Sequence, residues 1–256
     1  MKPRAIVLTY HAVEKGPQPL CLDPDLFRAH LDVFAEADAH TLTVSGLAAA
    51  LAKGALPDRA VAITFDDGAA SVAESAAPLL SEHGATATVF CVAGYLGGVN
   101  DWPTQPANAS RFALASAARL RELAGAGFEI GSHGFEHAPL ATRNEALLRR
   151  EIIDSKAALE DLVGTDVRSF AYPYGARSKL ARAMVRATYD AACTTLFAFA
   201  QVDADTAEVP RIDAHYIRTA ELMRRLLSGH FPLELHARRV ARGARRLVRQ
   251  DYASGR

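Results

Sequence analysis

The stretch Ala62-Ile63-Thr64-Phe65-Asp66-Asp67-Gly68 decides the architecture. Its first half is a continuous apolar run of strand length, the pattern of a strand buried on both faces, as in a parallel sheet. Its second half places two carboxylates where that strand must end. In parallel β/α architectures the functional groups collect at the C-terminal ends of strands. Side chains alternate along an extended chain, so the two carboxylates leave in different directions and need not share one task. Gly68 permits a sharp turn or a close approach. A helix N-cap would account for one aspartate, since Asp is favoured there, but not readily for two.

Working outward, strand-like runs recur at Ala5–Tyr10, Ala60–Phe65, Thr86–Val92, Phe128–Ser132, Val167–Tyr172 and Tyr189–Thr195. Helical patterns lie between them. Pro24–Ala37 spaces Leu26, Phe27, Leu31 and Phe34 along a helix. Ser45 is a candidate cap for a helix stopping at Gly54. Thr142–Glu145 has the form of a capping box opening a helix that runs to Gly164. Strands alternating with helices predict parallel β-α units, and 256 residues, half of them hydrophobic, suit one large α/β domain. The predicted unit is 1–232, followed by a basic helix or tail at 233–256.

Lys+Arg and Asp+Glu are equal at 29 each, which gives no general attraction to nucleic acid. Cys21, Cys91 and Cys193 are odd in number and far apart, against a disulfide framework or a cysteine zinc site. No segment approaches the length of a membrane span, and the N-terminal apolar run is too short for a signal peptide, so the expectation is a cytoplasmic protein. The arginine-rich segment Glu234–Gln250 reads as a solvated helix, or as a peripheral contact with anionic lipid or a protein partner. Gly94–Ser110 (GYLGGVNDWPTQPANAS) is rich in Gly, Pro and Asn, and is expected to be a surface loop near the working face.

Two further strand ends carry polar groups. In Phe128-Glu129-Ile130-Gly131-Ser132-His133-Gly134-Phe135-Glu136-His137 the histidines are four apart, a spacing that on a helical turn puts both imidazoles on one face. Two imidazoles and one carboxylate make a three-ligand metal site with open positions, and a spare carboxylate beside it can take a proton from water. Phe170-Ala171-Tyr172-Pro173-Tyr174-Gly175 reads as a tight turn whose N–H groups can face an oxyanion and whose aromatics can stack on a sugar.

Together, Thr64–Gly68 (TFDDG), His133–His137 (HGFEH) and Ala171–Gly175 (AYPYG) resemble the motifs of the polysaccharide deacetylase family, also called the NodB-homology or carbohydrate esterase family 4 group. The resemblance spans about residues 5 to 212. It implies a distorted (β/α) barrel and a divalent metal, most often zinc, with cobalt, nickel or manganese as alternatives. It implies Asp67, His133 and His137 as ligands and Asp66 as general base. It further implies the Pro173–Tyr174 turn at the substrate, with the Tyr174 N–H on the oxyanion, and removal of N-acetyl groups from an amino-sugar glycan or glycan precursor. Two positions depart from the family pattern: Gly134 stands where Ser or Thr is usual, and Ala171 replaces the arginine that normally holds the base. The sequence motifs leave open what takes over from that arginine.

An amine leaves poorly unless protonated, so a general acid is needed. Leu233–His236 superficially matches a late family motif that supplies one. His11 is the preferred candidate: it ends the first apolar strand, and Tyr10-His11 is similar to the start of the branch containing poly-N-acetylglucosamine deacetylases. His30, His40, His83, His215 and His230 read as structural or solvated, without partners. Hydrolysis of another amide, an imide or an O-acetyl ester is the alternative reaction. A non-catalytic carbohydrate-binding barrel is the alternative class, disfavoured because unpaired buried polar groups are costly to keep.

Overall fold

The computed structural model describes residues 4–229, and His230, His236 and the arginine-rich segment lie outside them. In chain order the strands are β1 (Arg4–Tyr10), β2 (Ala12–Val13), β3 (Cys21–Leu22), β4 (His40–Leu42), β5 (Ala60–Phe65), β6 (Thr88–Cys91), β7 (Glu129–Ser132), β8 (Ser169–Ala171), β9 (Ala191–Cys193), β10 (Ala200–Gln201) and β11 (Ile212–Asp213). The helices are α1 (Pro24–Glu36), α2 (Val44–Ala52), α3 (Ala77–Glu82), α4 (Ala117–Gly125), α5 (Glu145–Arg149), α6 (Ser155–Val163), α7 (Lys179–Thr188) and α8 (Ala220–Leu227).

Strand β5 lies between β1 and β6, and the parallel ladder continues through β7 and β8 to β9. On the far side β11 runs parallel to β1. The chain just before β11 also reaches the opposite edge of the sheet. Val209 N donates to Ala192 O and Thr194 N donates to Val209 O, each at 2.8 Å. The sheet is thus drawn toward closure, a distorted (β/α) barrel.

Alternation along the strands sorts the side chains. In β1, Ile6, Leu8 and Tyr10 pack outward in the larger core beneath the helices, while Ala5 and Val7 face the barrel interior. In β5, Val61, Ile63 and Phe65 face outward, and Ala60 and Ala62 inward. Burying an Ile or Phe of this kind contributes about 1.5–3 kcal/mol. The interior is filled by small residues, among them Ala171, Ala191 and Cys193, with Phe90 and with Leu47 and Leu51 of α2. Continuing the inward phase of β5 upward gives Thr64 and then Asp66, so the sheet's period of two aims one aspartate into the barrel mouth.

Helix starts differ from the expected caps. Helix α2 is capped by Thr43, whose hydroxyl accepts from Gly46 N at 3.1 Å, and the Ser45 N–H is instead taken by Glu129. Helix α5 is capped by Asn144, with Thr142 two residues before it accepting from Asn144 N. These residues all bond locally to backbone, so sequence alone assigns the cap only to within two positions. A π-helical turn, Arg150–Asp154, joins α5 to α6. All three cysteines are free and buried. Among the described residues no helix is long and apolar enough to cross a membrane.

Candidate active site

The C-terminal ends of β1, β5 and β7 meet the β8 turn around a cavity of about 430 Å³, lined by His11, Asp66, Asp67, His133, His137, Tyr174 and Arg211 among others. Asp66 N still donates to Tyr10 O at 2.9 Å, as the last rung of the β1–β5 ladder. The chain then turns left-handed, with φ of 71° at Asp67 and 78° at Gly68. That turn brings the second carboxylate round to the same cavity. A Cβ on Gly68 would lie 3.1 Å from Cys91 Sγ, so glycine serves both the turn and the close passage over β6.

The two histidines do not share a helical turn. His133 follows β7 directly, and His137 sits in a loop with φ of 58°. The i, i+4 spacing brings them together through left-handed backbone instead. Among the described residues five non-glycine residues have positive φ, and three of them, Asp67, His137 and Tyr174, border this one cavity. Backbone strain concentrated at one place in this way marks functional sites.

Nδ1 of His133 lies 2.8 Å from Ala171 O, so it donates there and turns the Nε2 lone pair into the cavity. His137 Nε2 lies 3.2 Å from His133 Nε2. Asp67 Oδ1 is 3.7 Å from His133 Nε2 and 3.6 Å from His137 Nε2. Three ligands at about 2.1 Å in tetrahedral array stand about 3.4 Å apart, so this triangle has the dimensions of a divalent-metal site. Nδ1 of His137 is buried without a hydrogen-bond partner among the described residues. Burial, then the neighbouring His133, hold the His137 imidazole well below its usual pKa, neutral and able to offer a lone pair. Burial pushes the Asp67 carboxyl up, against the pull of His11 and His133 and with the push of Asp66. A cation at the triangle would relieve that charge pair.

His137 is also gripped from the loop between β6 and α4. Trp102 is buried and stacks on its ring, with centroids 4.3 Å apart, and Tyr174 meets it edge-on at 4.6 Å. Trp102 Nε1 donates to the Tyr174 hydroxyl at 3.2 Å, and Thr104 Oγ1 to His137 O at 3.0 Å. The Gly94–Ser110 segment does stand at the site, but its tryptophan faces inward. Tyr174 is left-handed and 43% exposed at the rim; Pro173 is buried and does not line the cavity.

Arg211 is the residue the sequence reading missed. Its two terminal nitrogens donate to both oxygens of Asp66, at 2.6 and 2.8 Å. It also donates to Thr64 Oγ1 at 3.0 Å and, through Nε, to Thr194 O at 3.1 Å. Four of its five N–H bonds are thereby directed. Although burial alone would raise the Asp66 carboxyl, the Arg211 charge and then His133 hold it well below the ordinary carboxylate range. Both residues are almost fully buried, so the fork is dry and its geometry fixed. Arg211 stands between the Val209 contact with β9 and the start of β11, the segment that draws the barrel toward closure. In sequence it is only an arginine ahead of the two-residue strand Ile212–Asp213, with no local pattern that marks it.

His11 follows β1 into the cavity, half-buried, and its proximity is among the influences that lower both aspartates. The four histidines among the described residues that were expected to lack partners all have them: His40 Nδ1 lies 3.2 Å from Asp58 O, and His215 Nε2 lies 3.5 Å from Arg218 Nη2. Buried His30 bridges Tyr10 Oη, 3.0 Å away, and Ile217 O, 2.9 Å away, while His83 pairs with Asp32.

The family model described as polysaccharide deacetylase matches residues 53–192. Among curated relatives, YxkH of Bacillus subtilis is 25% identical over 170 residues, which is 66% of this chain and 56% of that protein. The poly-β-1,6-N-acetyl-D-glucosamine N-deacetylase of Staphylococcus aureus is 26% identical over 195 residues, covering 67% of this chain and 64% of that one. The chain therefore spans less than two thirds of these relatives. In fold, it is similar to the Streptococcus pyogenes deacetylase PplD, with a TM-score of 0.76 and 23% identity over 91% of this chain and all of the other. IcaB from Ammonifex degensii gives 0.72 and 23%, covering 86% of this chain and 97% of that one.

Proposed function

The chain belongs to the polysaccharide deacetylase family, and on that premise we propose that it is a metal-dependent hydrolase removing N-acetyl groups from an amino-sugar glycan or glycan precursor. One observation carries the reading: three metal-ligating atoms, 3.2 to 3.7 Å apart, stand beside a second carboxylate locked by an arginine. A triangle alone binds an ion; the locked carboxylate next to it is what hydrolysis adds.

Asp67, His133 and His137 would hold the ion, with zinc the expected metal. A divalent ion there supplies Lewis acidity, acidifying water and polarising a carbonyl oxygen. Asp66, 3.9 Å from His133 Nε2, accepts the proton of the attacking water. Both of its oxygens are engaged by Arg211, so it stays ionised and aimed, and is not drawn into the ligand set. The Tyr174 N–H supports the developing oxyanion from the rim. His11 protonates the departing amine from the β1 side. The proposed catalytic unit is the domain 1–232.

The S. aureus relative's name makes β-1,6-linked N-acetylglucosamine the first substrate to test. Acetate release should be measured from that polymer, chitooligosaccharides and acetyl-xylan, and ring opening from cyclic imides, with and without chelator. Chelator-sensitive acetate release from an N-acetylated glycan supports the proposal. Turnover confined to the xylan ester or an imide would replace the substrate class, and glycan binding without turnover or metal would remove the enzyme reading. In the same assay His11→Ala is expected to lower kcat/KM about 100-fold and to flatten the limb on which activity falls as pH rises. An unchanged profile assigns the acid elsewhere.

A further inference from the structure

The loop between the two histidines is fastened by a side chain from another element. Glu151 is 1% exposed, and its Oε2 accepts from Phe135 N at 3.1 Å and from Ala138 N at 3.2 Å. Its Oε1 accepts from Glu136 N at 2.9 Å. These amides flank His137 on both sides. Other contacts hold carbonyls of the loop: Ala93 N donates to Gly134 O, Gly94 N to Phe135 O, and Thr104 Oγ1 to His137 O. Three amides converging on two oxygens need a carboxylate, because a carboxamide offers only one acceptor oxygen.

The aim of Glu151 comes from the π-helical turn Arg150–Asp154. Such turns release carbonyls from the helical ladder. Here Ser155 Oγ donates to Glu151 O at 2.7 Å, and Tyr189 Oη to Ile152 O at 2.7 Å. Gly134 is the matching feature on the loop. Its φ is 88°, and a Cβ would stand 2.4 Å from Glu151 Oε2. The missing side chain leaves the space into which the carboxylate reaches.

We propose that Glu151 is a positioning residue for the metal centre: by holding three amides of the 135–138 loop, it fixes the left-handed backbone of His137 and thereby sets its Nε2 opposite that of His133. The inference rests on Asp67, His133 and His137 forming the metal centre. Glu151 touches neither ion nor substrate in this role. It acts through backbone, which is why no motif spacing reveals it.

The test is ion affinity, measured with Zn²⁺ against a chromophoric chelator below the unfolding transition of every variant, with the Co²⁺ absorption spectrum as a second readout. Glu151→Gln, which satisfies two amides and opposes the third, should weaken Zn²⁺ binding about tenfold, and Glu151→Leu about 100-fold, with altered Co²⁺ bands. Leu159→Ala, in the buried face of α6, controls for general destabilisation: it should lower Tm and leave affinity unchanged. Wild-type affinity and spectrum in Glu151→Gln, or equal weakening in Leu159→Ala, would overturn the proposal. If Glu151→Leu does not fold, Glu151→Gln alone decides. A wild-type chain that binds no divalent ion overturns the reading of the centre itself, a separate result from ion binding that ignores residue 151.

Discussion

Asp66→Asn is expected to lose turnover by about 10²–10⁴-fold while still binding one divalent ion per chain. Asp67→Ala is expected to do the reverse in order of cause: the ion goes first, and activity with it. The two residues are adjacent, yet the turn between them gives them different partners. Asp66 gives both oxygens to Arg211, and Asp67 gives Oδ1 to the histidine pair. The asparagine keeps one acceptor for Arg211 and loses the charge that takes the proton. It also leaves a buried guanidinium without its anion, at about 3–5 kcal/mol. Folding must therefore be followed beside kinetics, by thermal melting and by metal analysis of the same samples. Full turnover in folded Asp66→Asn, or full metal content in Asp67→Ala, would reverse the assignment of the pair.

Arg211→Met is the second large effect. Removing it strands the Asp66 carboxylate in a buried site, with an expected loss of about 3–5 kcal/mol near neutral pH. The pH dependence has a definite sign. In the native chain Asp66 is held below its ordinary value, so its contribution to stability is present above the unfolded carboxylate range and is lost as pH falls through the folded value. Without Arg211, burial dominates and the carboxyl moves upward, so the variant is penalised above the unfolded value and recovers as Asp66 protonates. The stability gap between the two proteins should narrow toward pH 4, and the acid limb of kcat/KM should move to higher pH in the variant. Denaturant titrations across pH and a pH–rate profile check both. A pH-independent gap would mean that Arg211 does not govern Asp66.

Most of the barrel was legible because a period of two and a period of 3.6 separate strands from helices, and the strand ends that build the site announced themselves by polar residues. TFDDG, HGFEH and Tyr10-His11 all fall at such ends. What escaped was whatever acts across long sequence separation or through backbone. Ala171 marked the missing arginine, but nothing in the local pattern pointed to Arg211, 145 residues beyond Asp66. The HxxxH spacing suggested a helical turn; the left-handed φ at His137 shows that four residues can converge by another path. The Gly- and Pro-rich segment Gly94–Ser110 reads as a surface loop, whereas its Trp102 is buried by stacking on His137. The basic segment 234–250 lies outside the described residues.

The strap that carries Arg211 has a consequence for synthesis of the chain. Until residue 211 has left the ribosome, Asp66 lacks its principal countercharge, and the interior rung at Thr64 and Asp66 cannot be dehydrated cheaply. Nascent chains that already contain β1 through β9 should thus remain hydrated at the mouth of the barrel. Consolidation of that charged, dry centre should therefore wait for β11.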